Sequence, residues 1–99
     1  MAIFNFTDYK QFVREKVSLM PHRGRGQFRQ MALHLGVNST AISQIFKGPR
    51  QLTAEQGIRI AQFLGLSDLE TRYFVNMVQK ERAGSHDLKE FYLKEEKKL

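Results

Sequence analysis

Residues 27–47 carry the hydrophobic spacing of two short amphipathic helices. The first predicted helix has an apolar face at positions i, i+3, i+4 and i+7, namely Phe28, Met31, Ala32 and Leu35. The second has its own apolar face, formed by Ile42, Ile45 and Phe46. Gly36 lies between them, and glycine accepts the left-handed backbone that often ends a helix. Asn38 or Ser39 can cap the second helix, because a side-chain oxygen there can accept an unbonded backbone N–H. The pattern predicts two helices joined by a tight turn.

The second helix of this pair also has a polar face. Its residues recur at the same i, i+3, i+4 and i+7 spacing, namely Thr40, Ser43, Gln44 and Lys47. At about 100° per residue, the polar and the apolar sets point in opposite directions. Hydroxyls, amides and cations are the side-chain groups that hydrogen-bond base edges and phosphates. The exposed face of this helix therefore favours a nucleic acid as its partner.

The same segment resembles the helix-turn-helix core of the lambda-repressor/Cro-like (XRE-type) bacterial regulators at Ala32, Gly36, Val37, Thr40, Ile42, Ser43, Ile45 and Gly48. In that family the second helix of the motif lies in the DNA major groove. The resemblance implies a bacterial or phage transcriptional regulator that binds double-stranded DNA in a sequence-specific manner. The recognition helix would span about residues 39–47. Its expected base contacts are Ser39, Thr40, Ser43 and Gln44, and Gln44 is the strongest of them because an amide can bond adenine through two atoms.

Two flanking stretches suggest a narrower resemblance. Residues 6–12 and 66–74 look like the flanks of a little-characterised bacterial regulator family. In that family a similar N-terminal helix-turn-helix segment precedes a larger helical C-terminal domain. The larger domain has no counterpart in these 99 residues, so the chain is either a short relative or a piece of a longer protein.

The charge of the chain is distributed unevenly. The formal net charge is +6, and the isoelectric point is near 9.9. Residues 1–50 contain eight basic and two acidic side chains, whereas residues 51–99 contain eight of each. The whole excess therefore lies in the half that contains the predicted helix pair. A solvated basic surface is one explanation, but a one-sided excess around such a helix is typical of nucleic-acid binders.

Residues 21–26 are predicted to be a loop, because two glycines and a proline in six residues exclude regular structure. Its two arginines are either solvated or in contact with DNA, through phosphates or in the minor groove. The Arg-Gly-Arg sequence resembles the core of minor-groove AT-hooks over three residues only. Together with neighbours of the helix pair, the expected contacts to the DNA backbone are Arg23, Arg25, Gln27, Lys47 and Arg50.

Further helices are predicted on both sides of the pair. Thr7 is the expected N-cap of the first, ahead of an apolar face that contains Tyr9, Phe12, Val13, Val17 and Met20. Capping boxes at Thr53–Gln56 and Ser67–Glu70 begin two more helices. The first of these carries Ile58, Ala61 and Leu64, with Ile60 and Phe63 widening its stripe; its Gly57 would be explained by close helix packing. We therefore predict an all-α, compact bundle of five to six helices with a lambda-repressor-like fold.

The C-terminal segment suggests a means of assembly. We divide the chain into a helix-turn-helix DNA-binding domain at residues 1–83 and a helical extension at residues 84–99. The extension carries a short apolar patch, Leu88, Phe91 and Tyr92, which either holds two copies together or folds back onto the chain's own core. Regulators of this shape usually bind as dimers on half-sites about one helical turn apart. We therefore expect a homodimer.

Other classes of function find little support. The chain has no cysteine, and hence neither disulfides nor thiolate zinc sites. It has no apolar run near the ~20 residues that cross a bilayer, and no signal-peptide pattern, so we expect a cytoplasmic protein without a membrane partner. The three histidines are scattered, and neither Ser39 nor Ser43 has a base nearby in sequence. We expect no enzyme activity, catalytic residue, metal or cofactor.

One alternative belongs to a different class. A helix-turn-helix-shaped domain can serve as a protein–protein interaction module that does not bind DNA. The one-sided charge argues against this alternative. Phosphate contacts make affinity fall steeply with salt, so the salt dependence of binding to duplex DNA would distinguish the two functions.

Overall fold

Six α-helices form the architecture of the computed structural model, which describes residues 2–99. They are α1 (Tyr9–Ser18), α2 (Gln27–Leu35), α3 (Ser39–Phe46), α4 (Ala54–Phe63), α5 (Asp68–Arg82) and α6 (His86–Lys98). Short 3-10 segments occupy Ile3–Asn5 and Pro21–Gly24. No strand occurs in the described residues, so the predicted all-α fold of five to six helices is confirmed.

Side-chain caps define where most of the helices begin. The capping boxes predicted at Thr53–Gln56 and Ser67–Glu70 are both present, with the backbone and side-chain bonds of each made. At α1 the predicted cap is wrong by one residue. Asp8, and not Thr7, accepts hydrogen bonds from the backbone N–H groups of Lys10 and Gln11. A carboxylate at this position also complements the positive end of the helix dipole, as a threonine hydroxyl does not.

A three-residue turn connects α2 to α3. Gly36 adopts the left-handed conformation, with φ of 72°, and the N–H of Val37 donates to the Ala32 carbonyl, which closes the end of α2. Asn38 is the cap of α3, since its side chain accepts from the N–H of Ala41 at 2.8 Å. Of the two residues that the sequence left open for this role, Asn38 therefore performs it. The predicted pair of helices with a tight turn is confirmed.

The hydrophobic core lies between α5 and the helices that precede it. Phe74 of α5 has its ring 5.9 Å from that of Tyr9 and 6.1 Å from that of Phe12, both on α1. The fully enclosed side chains include Tyr9, Phe12, Met31, Ile42, Ile45, Phe46, Leu52, Ile60, Phe74 and Met77. The α2 and α3 faces predicted to be apolar therefore pack into one core with α1, α4 and α5. Contact with this core fixes α3 through the buried side of the helix.

The apolar stripe of α4 is rotated from the predicted one. Ile60, Ala61 and Leu64 are buried, but Ile58 is 45% exposed. The buried side includes Gly57, whose position would place a Cβ 3.5 Å from the Val78 Cγ2 on α5. This distance is an ordinary van der Waals contact, so α4 packs against α5 at Gly57 but the packing does not require a glycine there, contrary to the prediction.

The last helix packs along α5. The ammonium of Lys80 on α5 lies 2.7 Å from a carboxylate oxygen of Glu96 on α6, and both side chains are nearly enclosed. The side-chain amide of Asn76 donates to the Tyr92 carbonyl at 2.7 Å. Leu88 and Phe91 instead remain 43% and 55% exposed. The patch predicted on this segment is thus divided, with Tyr92 half-buried and the other two side chains in solvent.

Within residues 2–99, no helix combines the length and the apolar composition that a membrane span requires.

Candidate nucleic-acid interface

The exposed surface of α3 consists of four polar residues, Ser39, Thr40, Ser43 and Gln44, which we call the α3 face. The opposite side of the helix is buried through Ala41, Ile42, Ile45 and Phe46. The helix ends at Phe46, and Lys47 is its C-cap, so the predicted range of about 39–47 is one residue too long. Lys47 is exposed beside the helix end. All four predicted base-contact residues therefore share one solvent-exposed surface.

Two cations of α1 bind the end of α3 and the turn after it. The guanidinium of Arg14 donates to the Phe46 carbonyl at 2.7 Å. The ammonium of Lys10 donates to the Gly48 and Arg50 carbonyls at 2.9 and 2.7 Å. Positive groups at a helix C-terminus bond its unpaired carbonyls and interact favourably with the negative end of the helix dipole. These two residues fix the C-terminal end of α3 against α1. The partial burial of the Lys10 ammonium lowers its pKa, because desolvation disfavours the charged form.

A buried tyrosine anchors the segment that follows. The hydroxyl of Tyr9 donates to the side-chain carbonyl of Gln51 at 2.6 Å and accepts the backbone N–H of Leu52 at 3.0 Å. Burial raises the pKa of Tyr9 to about 12. The neutral hydroxyl therefore supplies both a donor and an acceptor at ordinary pH, and it holds the chain just after Arg50 in place.

Arg50 lies against Gln44 of the α3 face. Its guanidinium donates to the side-chain carbonyl oxygen of Gln44 at 3.3 Å, and its backbone N–H donates to the Gln44 backbone carbonyl at 3.2 Å. A guanidinium has donors only, so the atom that it bonds must be the oxygen of the amide. The amide nitrogen of Gln44 is therefore directed away from Arg50, with both of its donors available. At Gly48 between them, a Cβ would lie 2.8 Å from that backbone carbonyl, so this approach requires glycine.

The two loop arginines lie on or beside a compact left-handed turn. Residues His22, Arg23 and Gly24 have φ values of 58°, 59° and 75°, and the N–H of Gly24 donates to the Met20 carbonyl at 3.2 Å. The prediction that this segment lacks regular structure is therefore wrong. Glycine at position 24 adopts the left-handed conformation without strain, but His22 and Arg23 adopt it too, which non-glycine residues rarely do. Arg23 and Arg25 are both exposed.

The N-terminus of α2 follows directly. Gly26, with φ of 81°, is its N-cap and offers no side chain to bond the first turn. Gln27 is the first residue of the helix and is half-buried. Backbone N–H groups at a helix start attract anions, because they point outward and carry the positive end of the dipole. The Arg23 to Gln27 segment therefore presents donors and positive charge together.

A groove separates α2 from α3, and its volume is about 220 Å³. Its lining combines three cations with three apolar side chains: Arg14, Arg29, Lys47, Phe28, Ile42 and Phe46. Ser39 and Ser43 of the α3 face complete it, and no carboxylate contributes. We call this feature the α2–α3 groove.

The structure brings some predicted residues together and adds two others. Lys47 meets Ser39 and Ser43 in the groove, and Arg50 meets Gln44, whereas Arg23 and Arg25 occupy the separate turn ahead of α2. Arg14 and Arg29 were not predicted from the sequence as residues of the site. Arg29 follows the apolar Phe28 on α2, and its exposed position next to a predicted recognition helix could have identified it.

Arg14 had no such signal, because its partner Phe46 lies 32 residues further along the chain.

Within residues 2–99, no group of three histidine, aspartate or glutamate side chains is arranged to hold a metal ion. No protein-family model, curated protein or solved structure matches this chain. Its function is therefore inferred from its own residues and their arrangement.

Proposed function

We propose that this chain binds double-stranded DNA as a lambda-repressor/Cro-like transcriptional regulator of a bacterium or phage, acting in the cytoplasm. The observation that carries the proposal is the α3 face. It presents three hydroxyls and one amide on the exposed side of an α-helix whose other side is buried in the core. An α-helix fits the major groove of B-DNA, where such groups can bond base edges.

The charge around α3 supports the same function. Within residues 2–50 the acidic side chains are Asp8 and Glu15, and Asp8 caps α1. Lys47 and Arg50 flank the end of α3 and are exposed, as are Arg23 and Arg25 ahead of α2. None of these four cations is in an ion pair within residues 2–99, although Glu81 of α5 lines the same surface pocket as Arg50. Exposed cations outside ion pairs produce a positive potential, which attracts a polyanion and accelerates its association.

The α3 face and the residues predicted to contact the DNA backbone have different roles in this proposal. The α3 face contacts base edges and determines which sequence is bound. Arg23, Arg25, Gln27, Lys47 and Arg50 contact the sugar-phosphate backbone and set the orientation of the protein. The bond from Arg50 to Gln44 joins the two tasks, because it orients the amide before DNA arrives.

The direct test is the binding of labelled duplex DNA, followed by fluorescence anisotropy across a salt series. We expect affinity for random duplex to fall steeply as salt rises, by a slope of about 0.9 per phosphate contact on logarithmic axes. Selection from a random duplex library should then enrich one sequence. Absence of salt-dependent binding would contradict the proposal and favour the alternative of a protein–protein interaction module.

The proposal includes a homodimer, because one helix of this length covers few base pairs. Leu88 and Phe91 on α6 are the apolar side chains that remain exposed there, so we place the dimer contact on them. Light scattering should give twice the chain mass for the native protein and the single chain mass for Leu88→Glu/Phe91→Glu. Lys89→Glu/Lys94→Glu, at exposed positions of the same helix, serves as the control that keeps the dimer. A native monomer would refute this part alone.

A further inference from the structure

The α2–α3 groove has a chemistry that nucleic-acid recognition does not require. Its accessible apolar side chain is Phe28, which is half-buried. Ile42 and Phe46 close the groove from the core side with 2% exposure each, and the rings of Phe28 and Phe46 lie 5.6 Å apart. A phosphate group has no apolar part that could cover such a surface. Apolar surface that lines a concave groove is instead typical of sites that bind small organic molecules.

The rim of the groove determines the charge of its occupant. Arg14, Arg29 and Lys47 contribute three cations, and no acidic side chain lines the site. The Arg14 guanidinium uses one donor on the Phe46 carbonyl, which leaves its other donors for a ligand. The guanidinium of Arg29 is exposed on α2. Charge complementarity therefore calls for an anion, and a guanidinium is suited to a carboxylate.

The size of the groove limits the apolar part of the ligand. Its volume is about 220 Å³. An apolar cavity of about 150 Å³ is large enough to bind benzene. A single six-membered ring with one carboxylate therefore matches both the space and the charge.

We propose that the α2–α3 groove binds a small aromatic or alicyclic monocarboxylate, with the ring against Phe28 and the carboxylate toward Arg29 and Lys47. Because Ser39 and Ser43 of the α3 face also line the groove, the ligand and DNA compete. The competition rests on the proposed function, but the binding of the carboxylate does not.

Benzoate is the probe for the site. Titration of the full chain, followed by two-dimensional ¹H–¹⁵N NMR, should give saturable shifts of groove amides, with a dissociation constant on the order of 1 mM for a ligand of this size. Benzamide has the same ring without the charge, and acetate has the charge without the ring. Both should bind at least severalfold more weakly than benzoate. Equal binding of the three compounds, or shifts confined to α6 around Phe91, would overturn the proposal.

Arg29→Gln is the matching variant, because its side chain is exposed and lies outside the core. It should weaken benzoate about twofold to fivefold, as expected for an exposed ion pair. Arg59→Gln on α4 removes an exposed arginine outside the groove and should leave benzoate binding unchanged. If both variants weakened benzoate equally, the interaction would be nonspecific and the site would be refuted.

A second experiment separates the site from its regulatory role. Sodium benzoate should displace labelled duplex from the protein more strongly than sodium chloride of equal ionic strength, and Arg29→Gln should reduce the difference. Benzoate binding without displacement of bound DNA would overturn the competition and leave the carboxylate site intact. Benzoate binding by a chain that binds no DNA at all would support the site and refute the proposed function.

Discussion

The two halves of the molecule use their basic residues in different ways. All three salt bridges found in residues 2–99 lie in the C-terminal half, between α4 residues, between α6 residues, and between α5 and α6. In the N-terminal half, Lys10 and Arg14 bond backbone carbonyls, and Arg23, Arg25, Lys47 and Arg50 are exposed. Equal numbers of charges neutralise the C-terminal half, whereas the N-terminal half retains its excess.

The difference shows that net charge alone does not reveal what a cation does. Lys80 is nearly enclosed and satisfied by Glu96, so its role is to join α6 to α5. Exposed arginines with no carboxylate nearby contribute little to stability and remain available to an external anion. Neutralising Lys80 should therefore lower stability, whereas neutralising the exposed arginines ahead of α2 should weaken DNA binding.

The largest effect is expected in the C-terminal half, for Lys80→Met. The Lys80 ammonium bonds Glu96 at 2.7 Å and the Thr7 carbonyl at 3.0 Å. Its removal leaves a nearly buried carboxylate without a cation, which should lower the free energy of unfolding by about 3–5 kcal/mol. Urea denaturation followed by circular dichroism measures this change.

The double variant Lys80→Met/Glu96→Leu is the control for that experiment. It removes both charges, so it should be more stable than the single variant. If the single variant lost less than about 1 kcal/mol, the pair would behave as an exposed one and the contrast between the halves would weaken.

In the N-terminal half, Arg23→Gln/Arg25→Gln should affect binding and not folding. Loss of two phosphate contacts should weaken binding to any duplex on the order of 10- to 100-fold at 0.1 M salt and reduce the salt slope by about two units. The free energy of unfolding should stay within about 0.5 kcal/mol of the native value. Anisotropy and urea denaturation measure the two quantities.

Lys94→Gln/Lys97→Gln is the matched pair from α6, where both lysines are exposed. It removes the same net charge, so an equal loss of DNA affinity would show that total charge matters and location does not. If the arginine variant kept an unchanged preference for A·T-rich flanks, its contacts would be to phosphates and not to the minor groove.

Within the proposed interface, Gln44→Ala should separate specificity from affinity. Loss of a base contact should cost about 1–3 kcal/mol on the sequence selected from random DNA, with little change on unrelated DNA. Gln62→Ala removes another exposed amide, in the C-terminal half, and should change the affinity for neither the selected nor the unrelated DNA. Equal losses for Gln44→Ala on both DNAs would show that Gln44 does not determine sequence.

The smallest effect should be a gain in stability from Gly57→Ala. The added Cβ would meet Val78 at 3.5 Å, which is an ordinary van der Waals distance. Glycine inside a helix costs about 0.5–1 kcal/mol relative to alanine, so the substitution should raise the free energy of unfolding by that amount. DNA binding should stay unchanged, since α4 lies in the other half. A loss of stability would mean that α4 and α5 cannot adjust to the methyl group.

Local patterns in the sequence were sufficient for most helices and for the α3 face. Capping boxes and i, i+3, i+4 faces involve residues within one or two turns of each other, so spacing alone identifies them. The capping box at Thr53–Gln56 is one example. The assignment of Gln44 to the exposed side of α3 and of Ile45 to the buried side is another.

Contacts between distant residues could not be predicted in this way. The bonds from Lys10 and Arg14 to the end of α3 cross 32 to 40 residues. The stripe of α4 is wide enough that either Ile58 or Ile60 could face the core, and only its packing on α5 makes the choice. The left-handed turn at His22 and Arg23 was missed because non-glycine residues seldom adopt it.

The α3 face has a consequence for how this chain can change over time. The groups that hold α3 in place, Asn38, Arg14 and the buried side of the helix, are all outside that face. Ser39, Thr40 and Ser43 are exposed and lie outside the core, so their replacement should leave the fold intact. Mutation can therefore alter the side chains that the α3 face presents to solvent without first destabilising the protein. The same property makes these positions suitable for a randomised library on a scaffold of 99 residues.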